Sequence, residues 1–336
     1  MPQRPLRLIA LAWACLAALG CARTVTIENL EPAPAHEVTQ LRRLAVLPFH
    51  NDHRNVTTAA LEHALTSVQV QGRPYFTIVD YSAKGYFPES QGVELVFNDS
   101  SLGAYGRKAG ADGVLLGTVT RNDLRDVPTE EKRSVCVSWN ENGGCSKYAT
   151  RPVRCLRRTG TFAFIPKVAE SRGGKVIYSE EFAETAESRV CRGDGEAPAA
   201  GEDLITRARG KAIARFLRQV APHPVREDVP LLLDDNSGLT SADKKAIDAG
   251  ADQATSGRMS SACDTWAEVA ARNPRSYALP YLLGVCDEHA GRLEQALIRY
   301  QEADRHCAKP VEEIDQAQIR VRKALADRER LRQQTR

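Results

Sequence analysis

Nine cysteines are the residues best placed to do chemistry in this 336-residue chain. Two fall within the first 21 positions; the others are Cys136, Cys145, Cys155, Cys191, Cys263, Cys286 and Cys307. Zinc sites gather thiolates in close pairs, such as two cysteines with two residues between, and the chain has no such pair. Disulfide formation is the expected chemistry, and the odd count leaves a thiol free or paired between chains. The disulfide candidates are Cys136, Cys145, Cys155, Cys191, Cys286 and Cys307. Cys136 and Cys145 flank Asn142-Gly143-Gly144, a turn signal that brings two strands together, so they predict a hairpin staple.

Other chemistries are less well supplied. His50 and His53, with Asp52 between, make only a two-histidine set and read as solvated. Gly103-Ala104-Tyr105-Gly106 lacks the glycine-lysine-serine/threonine ending of a phosphate loop. No serine sits in Gly-x-Ser-x-Gly, so the esterase elbow is missing. Glu130-Glu131 and Glu180-Glu181 read as solvated carboxylates. Arg151, Arg154, Arg157 and Arg158 read as a solvated strand face, with an acidic partner or lipid headgroups as the alternative. The expectation is a non-enzyme without cofactor or metal.

Cys21 ends a different pattern. Arg4 and Arg7 precede an apolar run, Leu8 to Leu19, that is shorter than the roughly 20 residues a membrane span needs. Ala18-Leu19-Gly20-Cys21 resembles a lipoprotein box, with Ala18 where leucine is more usual. The reading is a signal peptide over 1–20 and an acyl chain on Cys21. By resemblance to enterobacterial sorting, Ala22 in place of aspartate points to the outer membrane, facing the periplasm. Loss of Arg4 and Arg7 lowers the formal charge from +3 to +1, which gives no case for nucleic acid.

The positioning elements follow from periodicity. Residues 21–40, with Pro32 and Pro34, read as a lipidated tether. Over 41–225, Leu44 to Phe49, Phe76 to Val79 and Val114 to Val119 read as strands. Between them lie a helix capped by Thr57 or Thr58, bearing Leu61, Ala64, Leu65 and Val68, and one capped by Ser100 or Ser101. Thr161 to Val168 and Val176 to Phe182 predict a hairpin, and a final helix runs from about Leu204 to Val220. This order predicts an α+β fold with a mixed sheet and packed helices. Residues 226–240 read as a linker.

The remainder, 241–336, is helical and repeats. A shift of 34 places Gly250 over Gly284, Gly257 over Gly291, Arg258 over Arg292, Ala262 over Ala296 and Trp266 over Tyr300. That is the period of the tetratricopeptide (TPR) repeat. Two repeats are visible, and Val311 to Leu331 supplies a capping helix whose apolar stripe is Val311, Ile314, Val321 and Leu325.

Arg43-Leu44-Ala45-Val46-Leu47-Pro48-Phe49 and Gly110-Ala111-Asp112-Gly113-Val114-Leu115-Leu116-Gly117, with Lys175-Val176-Ile177-Tyr178, make 41–225 similar to the CsgG-like lipoproteins of curli secretion. Related sheets occur in TolB-like amino-terminal domains and in lipoproteins that activate peptidoglycan synthases. The resemblance implies a channel component or a homo-oligomer, with barrel hairpins inserted in the fold. Here the insert, Arg121 to Thr159, is too charged for a lipid-facing strand and reads as a soluble stapled hairpin. Resemblance to the repeat family implies a groove for envelope proteins or peptides, lined in the second unit by Tyr281, Glu288 and His289. The functional expectation is a membrane-anchored adaptor, with a secretion channel or a synthase regulator as alternatives.

Overall fold

The computed structural model describes residues 23–79 and 99–335. The leader over 1–20 and Cys21 lie outside them. The chain forms two compact units, one spanning 33–222 and the other joining 23–32 to 223–333.

The 33–222 unit is built on a mixed sheet. Its strands are β2 (Arg43–Val46), β5 (Thr77–Ile78), β6 (Gly113–Trp139), β7 (Cys145–Glu170), β8 (Val176–Ser179) and β9 (Phe182–Cys191). The order is β5-β2-β6-β7-β8, with β9 also on β7; β2 is parallel to β5 and β6, and the other pairs are antiparallel. A small β3 (Gln69–Val70) pairs with β4 (Arg73–Pro74). Helices α1 (Val56–Thr66) and α2 (Asp99–Ala109) carry the parallel crossings, and α3 (Gly201–Val220) follows the hairpins. This is the expected α+β arrangement.

The core explains the order. Phe162, Phe164, Phe182 and Phe216 are all essentially buried, and their rings meet at 5.7–6.2 Å between neighbouring centroids. Alternation along β7 turns Phe162 and Phe164 onto α3, whose buried stripe is Leu204, Ala208, Ala212, Phe216 and Val220. The stripe starts on Leu204, not the expected Ile205, because β7 passes beneath the helix there: a Cβ on Gly160 would lie 2.8 Å from both Leu204 Cβ and Ile205 N. The expected strand Val176 to Phe182 is two strands, β8 and β9, successively paired on β7. The α1 cap also differs. Asp52, not a threonine, accepts the amides of Thr57 and Thr58 at 2.9 and 2.8 Å, and both threonines sit inside the first turn. Helix α2 begins at Asp99, so Ser100 and Ser101 likewise lie within it.

The second unit overturns two expectations. The tether contains β1 (Thr24–Glu31), and the linker contains most of β10 (His223–Pro230). They pair antiparallel along their whole length, from Thr24 opposite Pro230 to Glu31 opposite His223. The physical reason is a period-2 pattern in a polar disguise: Val25 and Ile27 are buried between exposed Thr24, Thr26 and Glu28, and Val229 is buried from β10. Pro224 and Pro230 lie near the ends of β10 in a two-stranded sheet, where proline is tolerated.

Those strands pack on helices α4 (Ser241–Thr255), α5 (Met259–Arg272), α6 (Ala278–His289), α7 (Leu293–His306) and α8 (Glu312–Gln334). The hairpins α4–α5 and α6–α7 repeat at the 34-residue shift. Gly250 lies under the Trp266 ring, where a Cβ would come within 2.4 Å; Gly284 lies under Tyr300, where it would come within 2.5 Å. Gly257 and Gly291 end α4 and α6 with φ of +78° and +72°, a left-handed turn that favours glycine. Ala262 and Ala296 are fully buried at the same stage of each hairpin.

Candidate interaction surfaces

Among the described residues the cysteines settle into three disulfides: Cys136–Cys145, Cys155–Cys191 and Cys263–Cys286. Cys263, left out of the candidates, joins α5 to α6; Cys307, placed among them, is the free thiol among the described residues. Positions 263 and 286 lie on adjacent helices of successive hairpins, a proximity that strand patterns do not reveal. Among the described residues one group has metal-ligand proximity: Glu131 with Cys155 and Cys191. Both thiols are in the disulfide, and Glu131 is paired with Arg133 at 2.9 Å and Arg189 at 2.5 Å. His50 and His53 are exposed, and Asp52 between them is committed to α1.

Two of the three expected groove residues are interior. Tyr281 is fully buried, and its hydroxyl donates to the Pro230 carbonyl at 2.7 Å. The Glu288 side chain has no exposure; it accepts from Tyr300 Oη at 2.7 Å and from Arg320 Nε and Nη2 at 2.7 and 2.8 Å. Burial, then the charge of Glu288, pushes the Tyr300 phenol far above its usual range. The correction has one cause: β1–β10 and α8 cover the face that an open two-hairpin array would leave as a groove. Only His289 is exposed. The cationic side of α8 is knitted in as well. Arg328 pairs with Glu294, Lys323 with Glu31 and Asp327, and Arg330 with Asp327. The large apolar side chains this unit leaves outside are Ile298 on α7 and Ile319 on α8, each 59% exposed. Isolated isoleucines on otherwise charged helix faces were the available signal.

In the 33–222 unit a cavity of about 700 Å³ lies between α2, the β7–β8 turn and residues 37–41. Its charges balance, with Glu37, Asp112 and Glu170 against Arg107, Arg172 and Lys175. Two of them brace the backbone: Arg107 donates to the carbonyls of Ser171 and Arg172 at 2.8 and 2.7 Å, and Asp112 accepts the amides of Arg42 and Arg43. Gly106 admits buried Ser171 beside α2, since a Cβ there would lie 2.0 Å from its hydroxyl. The cavity is a polar recess held by the fold's own contacts.

The other prominent surface is the β6–β7 ribbon. Strand β9 ends at Cys191, opposite Cys155, while β7 continues to Cys145 with β6 alone as partner. Ten residues at about 3.3 Å each make a two-stranded extension of about 33 Å. The Cys136–Cys145 staple sits at its tip, as the spacing predicted. Trp139 and Tyr148 flank the turn at 68% and 64% exposure. They were not singled out from the sequence, although aromatics bracketing a stapled turn are a readable signal.

These features define the class: an α+β chain with a mixed sheet, joined to a unit of repeated helical hairpins. No helix among the described residues is long and apolar enough to cross a membrane. No family model and no curated protein matches the chain. Among solved structures it is similar to a bacterial lipoprotein, GNA1162 from Neisseria meningitidis, at 14% identity and a TM-score of 0.24, over 53% of this chain and 97% of that one. A likeness at that score carries no argument.

Proposed function

We propose that this chain is a non-enzymatic adaptor of the bacterial envelope, held at the outer membrane by an acyl chain on Cys21. The helical-hairpin unit recruits a protein partner. The observation that carries the reading is the repeated interlock, Gly250 under Trp266 and Gly284 under Tyr300, which builds the kind of stacked helix array used for protein recognition. With the inner face covered, the partner contact in this reading lies on the outside of α7 and α8, where Ile298 and Ile319 are exposed. The CsgG-like motifs at 43–49 and 110–117 fit this reading as the scaffold that the anchor holds.

Photo-crosslinking residues placed at 298 and 319 in intact cells test it. A discrete envelope protein captured from either position, and lost with Cys21→Ser, is expected. No adduct from either position in the anchored protein would overturn the adaptor. A secretion-channel component is the second reading, favoured by the length of the ribbon. Ring-shaped particles after detergent extraction would support it, and a monomer by light scattering would count against it.

A further inference from the structure

We propose that the stapled tip of the β6–β7 ribbon docks on a membrane surface by binding anionic lipid headgroups. Trp139 and Tyr148 are the most exposed large hydrophobics among the described residues. Each couples an apolar ring to a polar group, the combination that favours the headgroup layer over either water or hydrocarbon.

The tip is preorganised. Besides the Cys136–Cys145 bond, the Asn140 amide donates to the Gly144 carbonyl at 2.8 Å, and the Gly144 amide to Asn140 Oδ1 at 2.7 Å. Little conformational freedom remains to be lost on binding.

The charges of the ribbon divide by position. Nearer the sheet, ion pairs hold Arg158 to Asp126 at 2.8 Å, and Arg133 to Glu131 and Asp194. Level with Arg133 and beyond it, Lys147 and Arg151 form no ion pair, against one unpaired acid, Glu141. The excess is positive and complements an anionic surface. Alternation along β7 puts Lys147 and Arg151 on one face and Tyr148 on the other. The cations and the Tyr148 ring therefore sit on opposite faces, which fits an end-on approach. Neither face has the apolar stripe of a spanning strand, so docking stops at headgroup level. The inference goes beyond the adaptor reading and needs neither the acyl chain nor the helical unit.

The test uses a chain beginning at Ala22, which keeps every described element and removes the leader and Cys21. It is mixed with phosphatidylcholine vesicles with and without phosphatidylglycerol. Salt-sensitive binding to the anionic vesicles alone is expected. A blue shift of tryptophan emission should accompany it and vanish in Trp139→Phe, because Trp266 is already fully buried. Each cation removed should weaken partition about fivefold, so Lys147→Glu with Arg151→Glu should lose tenfold or more, as should Trp139→Ser with Tyr148→Ser. Circular dichroism and a thiol count verify that the variants keep the fold and the staple. Three outcomes overturn the proposal: no vesicle binding at low salt, binding that both double variants retain, or tip-dependent binding to poly-glutamate with none to vesicles, which would assign the tip to an acidic protein.

Discussion

Removing Arg320 should unfold the helical unit far more readily than removing the whole Glu288–Arg320 pair. The Glu288 carboxylate is fully buried and receives three hydrogen bonds, two of them from Arg320, whose own side chain is 9% exposed. Arg320→Met leaves that carboxylate with Tyr300 alone. An uncompensated buried charge of this kind costs about 3–5 kcal/mol, whereas replacing both partners by apolar residues of similar size is often neutral. Glu288→Met with Arg320→Met should therefore recover most of the loss. In a chain beginning at Ala22 and carrying Trp139→Phe, Trp266 emission reports on this unit, and urea unfolding is the assay. With an m-value of about 1.5 kcal/mol per molar, the single variant should lower the midpoint by about 2–3 M. A single variant within about 1 kcal/mol of the parent, or a double variant as unstable as the single, would refute the reasoning.

Three further outcomes are expected. Asp235 is buried, which opposes its charge, but hydrogen bonds from Ser237, Ser276 and the Ala278 amide outweigh this and hold its carboxyl below the usual range. A carboxyl lowered on folding stabilises above its unfolded pKa of about 3.9 and loses that contribution as pH falls through the folded value. Thermal melts should thus decline in acid below about pH 4, with a flatter profile in Asp235→Asn. Gly250→Ala or Gly284→Ala should lose about 1–3 kcal/mol by forcing a methyl against Trp266 or Tyr300, read as a lower Tm. Replacing Cys263 and Cys286 by serine opens a link spanning 23 residues and should lose about 3 kcal/mol, while peptide mapping of the parent should show three disulfides and one alkylatable thiol at Cys307.

The sequence disclosed whatever its local periodicity encoded. The matches of Gly250 with Gly284 and of Trp266 with Tyr300 predicted two hairpins, and in each the glycine admits the ring. The turn at Asn142 to Gly144 predicted the staple across it. What stayed hidden depends on partners far along the chain. Val25 and Ile27 have the alternation of a strand, but their partner β10 is some 200 residues away, so the segment read as tether. Tyr281 and Glu288 occupy positions that would face a groove, and the arrival of β10 over Tyr281 and of Arg320 from α8 at Glu288 makes them interior. Cys263 paired with Cys286 for the same reason: helix packing, not spacing, brings them together.

The ladder from Thr24–Pro230 to Glu31–His223 carries one more consequence. The 33–222 unit is an insertion in the loop of a hairpin, entering and leaving at neighbouring positions. The hairpin cannot close during synthesis until about 190 intervening residues have emerged, so the first strand must wait while the inserted unit folds. The same neighbouring ends make the inserted unit excisable: a short turn joining Glu31 to His223 should leave the hairpin and its helices able to fold alone.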